Sequence, residues 1–256
     1  MNTPVFTKVY RTTESRARAV RHHAWLAEHA SPLRQPRIEA VGATSIDFTY
    51  VDGRPPGVRD LPMLAALLGD AHGAAWVSDL HRARLDIPHP LHAGHTMADF
   101  LAPRLAAFDA RRRTHHLTDD EDLAAAKRLL HAVAIGPVTF YKDTNPRNIL
   151  ITEQRIPIII DVDDLTLAPF GYDLAKLIVT LAMTYGPLSL TVIQNALAVY
   201  NRAAAGHDAC LGGTSMSLLL GHAELHRILT APYLGRGGYR YLWSQMCPVI
   251  QPEGHE

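Results

Sequence analysis

The chain has 256 residues, is 47% hydrophobic and carries a formal net charge of +0, enough apolar content for one large domain or two small lobes. A nucleic-acid or membrane-surface binder would show a basic excess, which this balance excludes. Its two cysteines, Cys210 and Cys247, are too far apart for a disulfide framework or a CxxC metal motif, which fits a reducing compartment.

The first segment, VFTKVY (5–10), is rich in β-branched and aromatic residues and predicts a strand, with Phe6, Lys8 and Tyr10 on one face. TTESRARAVRHHAWLAEHA follows as a helix, with Thr12 or Thr13 as N-cap and Ala17, Val20, Ala24 and Ala27 on one stripe. IEAVGATSIDFTYV (38–51) predicts two short strands turning near Gly42. DGRPPG (52–57) has turn and linker chemistry, which divides the chain into a first lobe, 1–54, and a second, 55–256. Two helical stretches come next, LPMLAALLGDAHGAAWVSDL and MADFLAPRLAAFDARRR, separated by the Pro- and His-rich loop DIPHPLHAGH. A third, LTDDEDLAAAKRLLHAV, opens on a capping box of Thr118 and Glu121. The pattern then switches to strands at 138–141, 148–152 and 156–161, the last two joined by a tight hairpin, before further helices from Tyr172 to about Trp243. This order predicts an α+β fold of two lobes rather than an alternating βαβ one. The N-terminus shows no signal-peptide core, and the most apolar run, LIVTLAM (177–183), is too short to span a bilayer; the expectation is a soluble cytoplasmic protein.

Chemistry concentrates between the middle strands. Asp143 follows one strand, Asn148 opens the next, and Asp161 ends the third. A carboxylate and a carboxamide can share a hard cation such as Mg²⁺, which prefers oxygen ligands, while another carboxylate accepts a hydroxyl proton. Phosphoryl transfer needs this combination. Other candidates are poorer: His89, His92 and His95 stand three apart without a fourth zinc ligand, and no GxSxG elbow exists.

YKDTNPRNILI resembles the catalytic loop of protein-kinase-like phosphotransferases, IDVDD resembles the metal-binding segment of aminoglycoside phosphotransferases and their relatives, and GYDLAKL is similar to a helix opening of the same family. The resemblance implies a protein-kinase-like fold and an ATP- or GTP-dependent small-molecule phosphotransferase. By that resemblance, Asp143 is the catalytic Asp, Asn148 and Asp161 bind Mg²⁺, and Asp163 assists metal or substrate. Lys8 reaches the nucleotide phosphates, Thr49 and Val51 form the adenine-binding hinge, and Asp173 caps its helix and braces the catalytic loop.

Three departures stand out. Tyr141-Lys142 replaces the family's His before the catalytic Asp, His22 stands where a helix Glu would pair with Lys8, and the chain starts at the lysine strand, without the family's phosphate-covering turn. The last predicts a truncated first lobe and weak nucleotide binding. A kinase-fold protein that binds without catalysis is the alternative reading. Few acids follow the metal segment (Asp173, Asp208, Glu224, Glu253, Glu256), so the expected partner is a neutral or mildly charged hydroxylated small molecule, with no nucleic acid and no membrane.

Overall fold

The computed structural model describes residues 4–91, 95–117, 119–236 and 238–247. The first lobe is a three-stranded antiparallel sheet in the order β1-β3-β2, built from β1 (Val5–Val9), β2 (Ile38–Val41) and β3 (Ser45–Thr49). In register, Lys8 lies opposite Ile46, Phe6 opposite Phe48 and Val5 opposite Thr49. Between β1 and β2 runs α1 (Thr13–His29), capped reciprocally by Thr12 and Ser15. One face of α1 lies on the sheet, where Ala19 joins Tyr10, Ile46 and Phe48 in a small core. Its other face sends Trp25 and Leu26 into the large core of the second lobe.

Residues 52–57 lead out of the sheet without regular structure. They are held twice: Arg54 exchanges backbone hydrogen bonds with Ile151 at 3.0 and 2.8 Å, and its guanidinium makes a two-pronged ion pair with buried Asp60 at 2.7 and 2.8 Å.

The second lobe is helical around three two-stranded β-ribbons. Its helices are α2 (Leu61–Ser78), α3 (Leu101–Arg113), α4 (Asp120–Val133), α5 (Tyr172–Tyr185), α6 (Leu190–Ala205), α7 (Met216–Thr230) and the short α8 (Trp243–Met246). Thr118 lies outside the described residues; α4 is capped by Asp119, which accepts from the Asp122 N–H at 2.8 Å. α2 and α6 press together at Gly69, where a Cβ would come within 2.3 Å of the Tyr200 carbonyl oxygen, so the backbones meet only because a side chain is missing.

The middle strands pair differently from the three-strand insert expected. β6 (Val138–Tyr141) does not join the hairpin of β7 (Ile149–Ile151) and β8 (Pro157–Ile159). Its partner is β9 (Thr166–Pro169), a strand hidden in sequence by Pro169 and by its short length. The Pro/His loop likewise contains a two-residue ribbon, β4 (His89–Pro90) with β5 (Thr96–Met97). Twelve residues of α5 are buried, Lys176 and Asp173 among them, so this helix forms the centre of the lobe directly beneath the catalytic loop. No described helix is long and apolar enough to cross a membrane.

Candidate active site

The loop after β6 is set by its backbone. Asp143 has φ 58, the left-handed region that only a few non-glycine residues enter readily, Asp among them. Its carbonyl is fixed there by the Asn145 N–H at 2.6 Å and the Asn148 Nδ2–H at 3.0 Å. From below, the buried Asp173 carboxylate accepts the N–H groups of Lys142 (3.1 Å) and Thr144 (3.4 Å) and the Thr144 hydroxyl (3.0 Å). Asp173 therefore braces the loop, but it does not cap α5. That position belongs to Gly171, at φ 88, where a Cβ would strike the Thr214 methyl at 2.6 Å.

Asp143, Asn148 and Asp161 come together although the strands are not side by side as expected. Besides the Asn148–Asp143 bond, Ile160 N–H donates to the Asn148 carbonyl at 3.0 Å, and the buried Lys142 ammonium donates to the Asp161 carbonyl. Burial pulls the Lys142 pKa down, opposed by the charges of Asp161, Asp143 and Asp173. Lys142, read from the sequence only as a departure, is thus a strut between the loop after β6 and the segment that carries Asp161. Tyr141 donates its hydroxyl to Asp143 Oδ1 at 3.0 Å, with burial first and the Asp143 charge second holding that phenol protonated.

Across the cleft, Lys8 Nζ lies 3.0 Å from Asp161 Oδ1 and 2.6 Å from Asp163 Oδ2. Burial opposes the charge on Lys8, but the two carboxylates outweigh it and raise its pKa. Asp161 shows the reverse: burial works against its charge, while the Lys8 hydrogen bond and charge pull its pKa below the usual carboxylate value. Asp163, expected beside a metal, has both oxygens on protein donors, since Tyr10 OH donates to Oδ1 at 3.0 Å. It supplies the counter-charge that α1 lacks. His22 does not reach Lys8; its Nδ1 lies 2.7 Å from the Asp163 carbonyl oxygen and 3.2 Å from the Leu165 N, two groups that one ring nitrogen can satisfy only in alternate tautomers.

A cleft of about 290 Å³ opens between the lobes, with Lys8, Thr49, Val51, Asn148 and Asp161 in its lining and Phe6, Phe48, Leu150 and Ile160 as apolar walls. Thr49 lies three residues along β3 from the Lys8 partner Ile46, about 10 Å at strand spacing. The Thr49 N–H is spent on the Arg37 carbonyl and the Tyr50 N–H on the Pro4 carbonyl, whereas the Val51 N–H has no partner among the described residues. A larger open groove of about 910 Å³ lies beyond Val51 along the β7–β8 hairpin, but it contains none of Lys8, Asn148 or Asp161, which line the smaller cleft.

The other candidates fall away. His89 bonds to Asp79 at 3.0 Å, His92 lies outside the described residues, and no cluster of three His, Cys, Asp or Glu side chains suited to a metal occurs among the described residues. Neither Cys210 nor Cys247 is in a disulfide. Sequence reasoning missed the roles of Tyr10, Lys142 and Lys176. Lys176, on the largely apolar helix α5, places Nζ 3.3 Å from Asp143 Oδ1; a lysine opening the apolar run that follows Asp173 was the available signal.

No curated protein sequence matches the chain. Among solved structures it is similar to an aminoglycoside-3'-phosphotransferase of type VIII (19% identity, TM-score 0.54, covering 88% of this chain and 84% of that one). It is similar to an aminoglycoside phosphotransferase from Streptomyces rimosus in complex with ADP and streptomycin (16%, 0.54, 88% and 86%). It is similar also to a choline kinase from Cryptosporidium parvum (10%, 0.61, 94% and 79%). At these identities the likeness establishes the kinase-like fold. The sequence profile of the Phosphotransferase enzyme family matches residues 4–209, most of the chain, and the protein belongs to that family.

Proposed function

We propose that the protein transfers the terminal phosphoryl group of ATP or GTP to a hydroxyl of a small molecule, with an antibiotic among the candidate acceptors. The observation that supports this best is the convergence of three residues: Asn148 and Asp161 line the cleft, and Asp143 is tied to Asn148 by the Asn148–Asp143 bond, with Lys142 bridging to the Asp161 carbonyl. The division at residue 54 then separates a nucleotide side, 1–54, from a catalytic and acceptor side, 55–256.

Phe6, Phe48, Leu150 and Ile160 suit a purine ring, and the Thr49 carbonyl with the free Val51 N–H offers one acceptor and one donor to its edge. Lys8 takes the phosphates. The Asp161 carboxylate and the Asn148 carboxamide oxygen are hard donors on the same cleft, a set that fits Mg²⁺. Mg²⁺, when bound, neutralises charge on the phosphates. Asp163 serves first as counter-ion to Lys8. Asp143 orients the acceptor hydroxyl: the acceptor oxygen forms the new O–P bond, the bond from phosphorus to the departing nucleoside diphosphate breaks, and the hydroxyl proton passes to Asp143.

Measurement of Mg²⁺-dependent nucleotide binding and of phosphoryl transfer to a panel of hydroxylated antibiotics and metabolites tests this reading. Asp161→Ala is expected to abolish Mg²⁺-dependent nucleotide affinity with the fold intact. Unchanged affinity in that variant would remove Asp161 from the site, and nucleotide binding without transfer to any acceptor or to water would favour the non-catalytic alternative.

A further inference from the structure

The acceptor side has an unusual charge arrangement. The Asp143 side chain is half-exposed; Tyr141 OH donates to its Oδ1 at 3.0 Å, and Lys176 Nζ forms an ion pair with the same oxygen at 3.3 Å. No protein donor reaches Oδ2 among the described residues. Lys176 itself is 7% exposed and sits on α5, whose position is fixed by burial on nearly all sides. Beside it, His226 is held neutral by burial first and by the Lys176 charge second. Its Nε2–H donates to the Tyr172 carbonyl at 2.9 Å, and the ring adds no compensating negative charge.

The acids that could pair with a cationic acceptor are engaged elsewhere. At the end of the IDVDD segment Asp164 pairs with Arg18 at 3.0 Å; after it, Asp173 holds the loop, Asp208 caps the Cys210 N–H at 2.9 Å and Glu224 pairs with Arg227 at 2.6 Å. From the earlier helices, Asp99 caps the Ala102 N–H at 2.7 Å and Asp109 pairs with Lys127 at 2.9 Å. Glu253 and Glu256, counted in the sequence as possible partners, lie outside the described residues.

We infer that Lys176 is a positioning and specificity residue for the acceptor. Together with Tyr141 it clamps one oxygen of Asp143, so that Oδ2 alone is presented to the hydroxyl. Its fixed positive charge also disfavours acceptors with an ammonium next to that hydroxyl. The preferred substrate class is therefore a hydroxylated molecule that is uncharged or anionic around the reacting group. A cation brought there would meet a like charge in a partly desolvated site, with the Asp143 charge already neutralised. This inference rests on the phosphotransferase reading above.

The experiment uses the full chain with Mg²⁺-ATP and three readouts: nucleotide hydrolysis, in which water is the acceptor, and transfer to, or competition by, two matched pairs. The pairs are choline with its uncharged tert-butyl isostere, and glucosamine with glucose. In the wild type the uncharged member of each pair is expected to act at least about tenfold more effectively, a difference of about 1.4 kcal/mol. Lys176→Met is expected to lower kcat for hydrolysis at least about tenfold with nucleotide KM unchanged, and to erase the difference within each pair; Lys176→Arg restores most of both. A wild type that prefers the cationic members, or a Lys176→Met protein with unchanged kcat or an unchanged pair ratio, overturns the inference and leaves the phosphotransferase reading standing. A wild type that binds nucleotide but neither hydrolyses nor transfers overturns that reading, and this one with it. Thermal melting of both variants separates these outcomes from misfolding.

Discussion

The two sides of the cleft are built to different standards. In the first lobe every residue of β1 is exposed or half-exposed, and the sheet and α1 close over only four buried apolar residues, Tyr10, Ala19, Ile46 and Phe48. On the acceptor side, twelve residues of α5 are buried and the catalytic loop is bolted to it through Asp173. On the proposed function, rigid placement therefore belongs to Asp143, the group that would aim at a hydroxyl. The first lobe, which on the same proposal admits and releases nucleotide, depends on a few ion pairs around Lys8. Local opening follows low burial, so the sheet is expected to exchange its amide protons well before α5 does.

Four changes test that asymmetry. The largest effect is expected from Asp143→Asn, which removes the proton acceptor but keeps the shape of the loop: phosphoryl transfer should fall about 10²- to 10⁴-fold while nucleotide affinity stays the same. Parallel kinetic and binding measurements check it, and equal loss of both would make Asp143 a structural residue.

Next come two matched core deletions. Phe140 is fully buried, edge-on to His72 at 4.8 Å and to Trp25 at 5.5 Å, so Phe140→Ala should cost about 3–5 kcal/mol and melt the whole protein earlier. Phe48→Ala, in the small core and in the cleft wall, should cost less stability but more nucleotide affinity. Melting curves with and without nucleotide would reveal the crossover; two identical profiles would mean the lobes are not distinct.

Acid should attack the rigid side. His222 on α7 is buried, its Nε2–H donates to the Val133 carbonyl at 3.1 Å, and burial lowers its pKa to about 4. The unfolded chain takes up this proton near the ordinary His value of 6.5, whereas the folded protein resists until about 4. Stability is therefore lost as pH falls through that window, on the order of 3 kcal/mol from this group, with His226 acting in the same direction. Denaturant titrations between neutral pH and pH 4 measure it, and replacing His222 by Gln should flatten the slope.

The smallest of the four effects is Lys8→Met. Loss of one charge-assisted contact to phosphate should weaken nucleotide binding roughly ten- to hundredfold. Asp161 and Asp163 would then face each other uncompensated, so the remaining affinity should depend more steeply on Mg²⁺. Calorimetry across a Mg²⁺ series would show that steeper dependence; a flat one would separate Lys8 from the phosphates.

Much of this molecule was written locally. Strand β1 announced itself by its β-branched residues, α1 by its Thr12 cap, and the loop after β6 by the Asp143–Asn148 interval between two apolar runs; the stripe expected on α1 did not hold, since Ala24 and Ala27 are exposed and the buried face runs through Ala19, His22, Trp25 and Leu26. These signals survive because each depends on neighbours within a few residues, where backbone preference, capping and periodicity act. β9 escaped notice because four residues ending in Pro169 have no pattern of their own, and their strand character comes from pairing with β6.

What the residue order determined by itself is therefore the inventory: a lobe of sheet and helix, a linker, a helical lobe, and three oxygen-bearing side chains at the turns between strands. Only the tertiary structure decided the partners. Lys8 meets Asp161 and Asp163 across 153 and 155 positions of chain, Lys142 reaches the Asp161 carbonyl, and Lys176 comes from a buried helix to rest against Asp143. Such pairings are set by how helices and ribbons pack around one core, a collective property of shape and burial. Residue type could say that a charge would need a counter-charge, but packing chose which one.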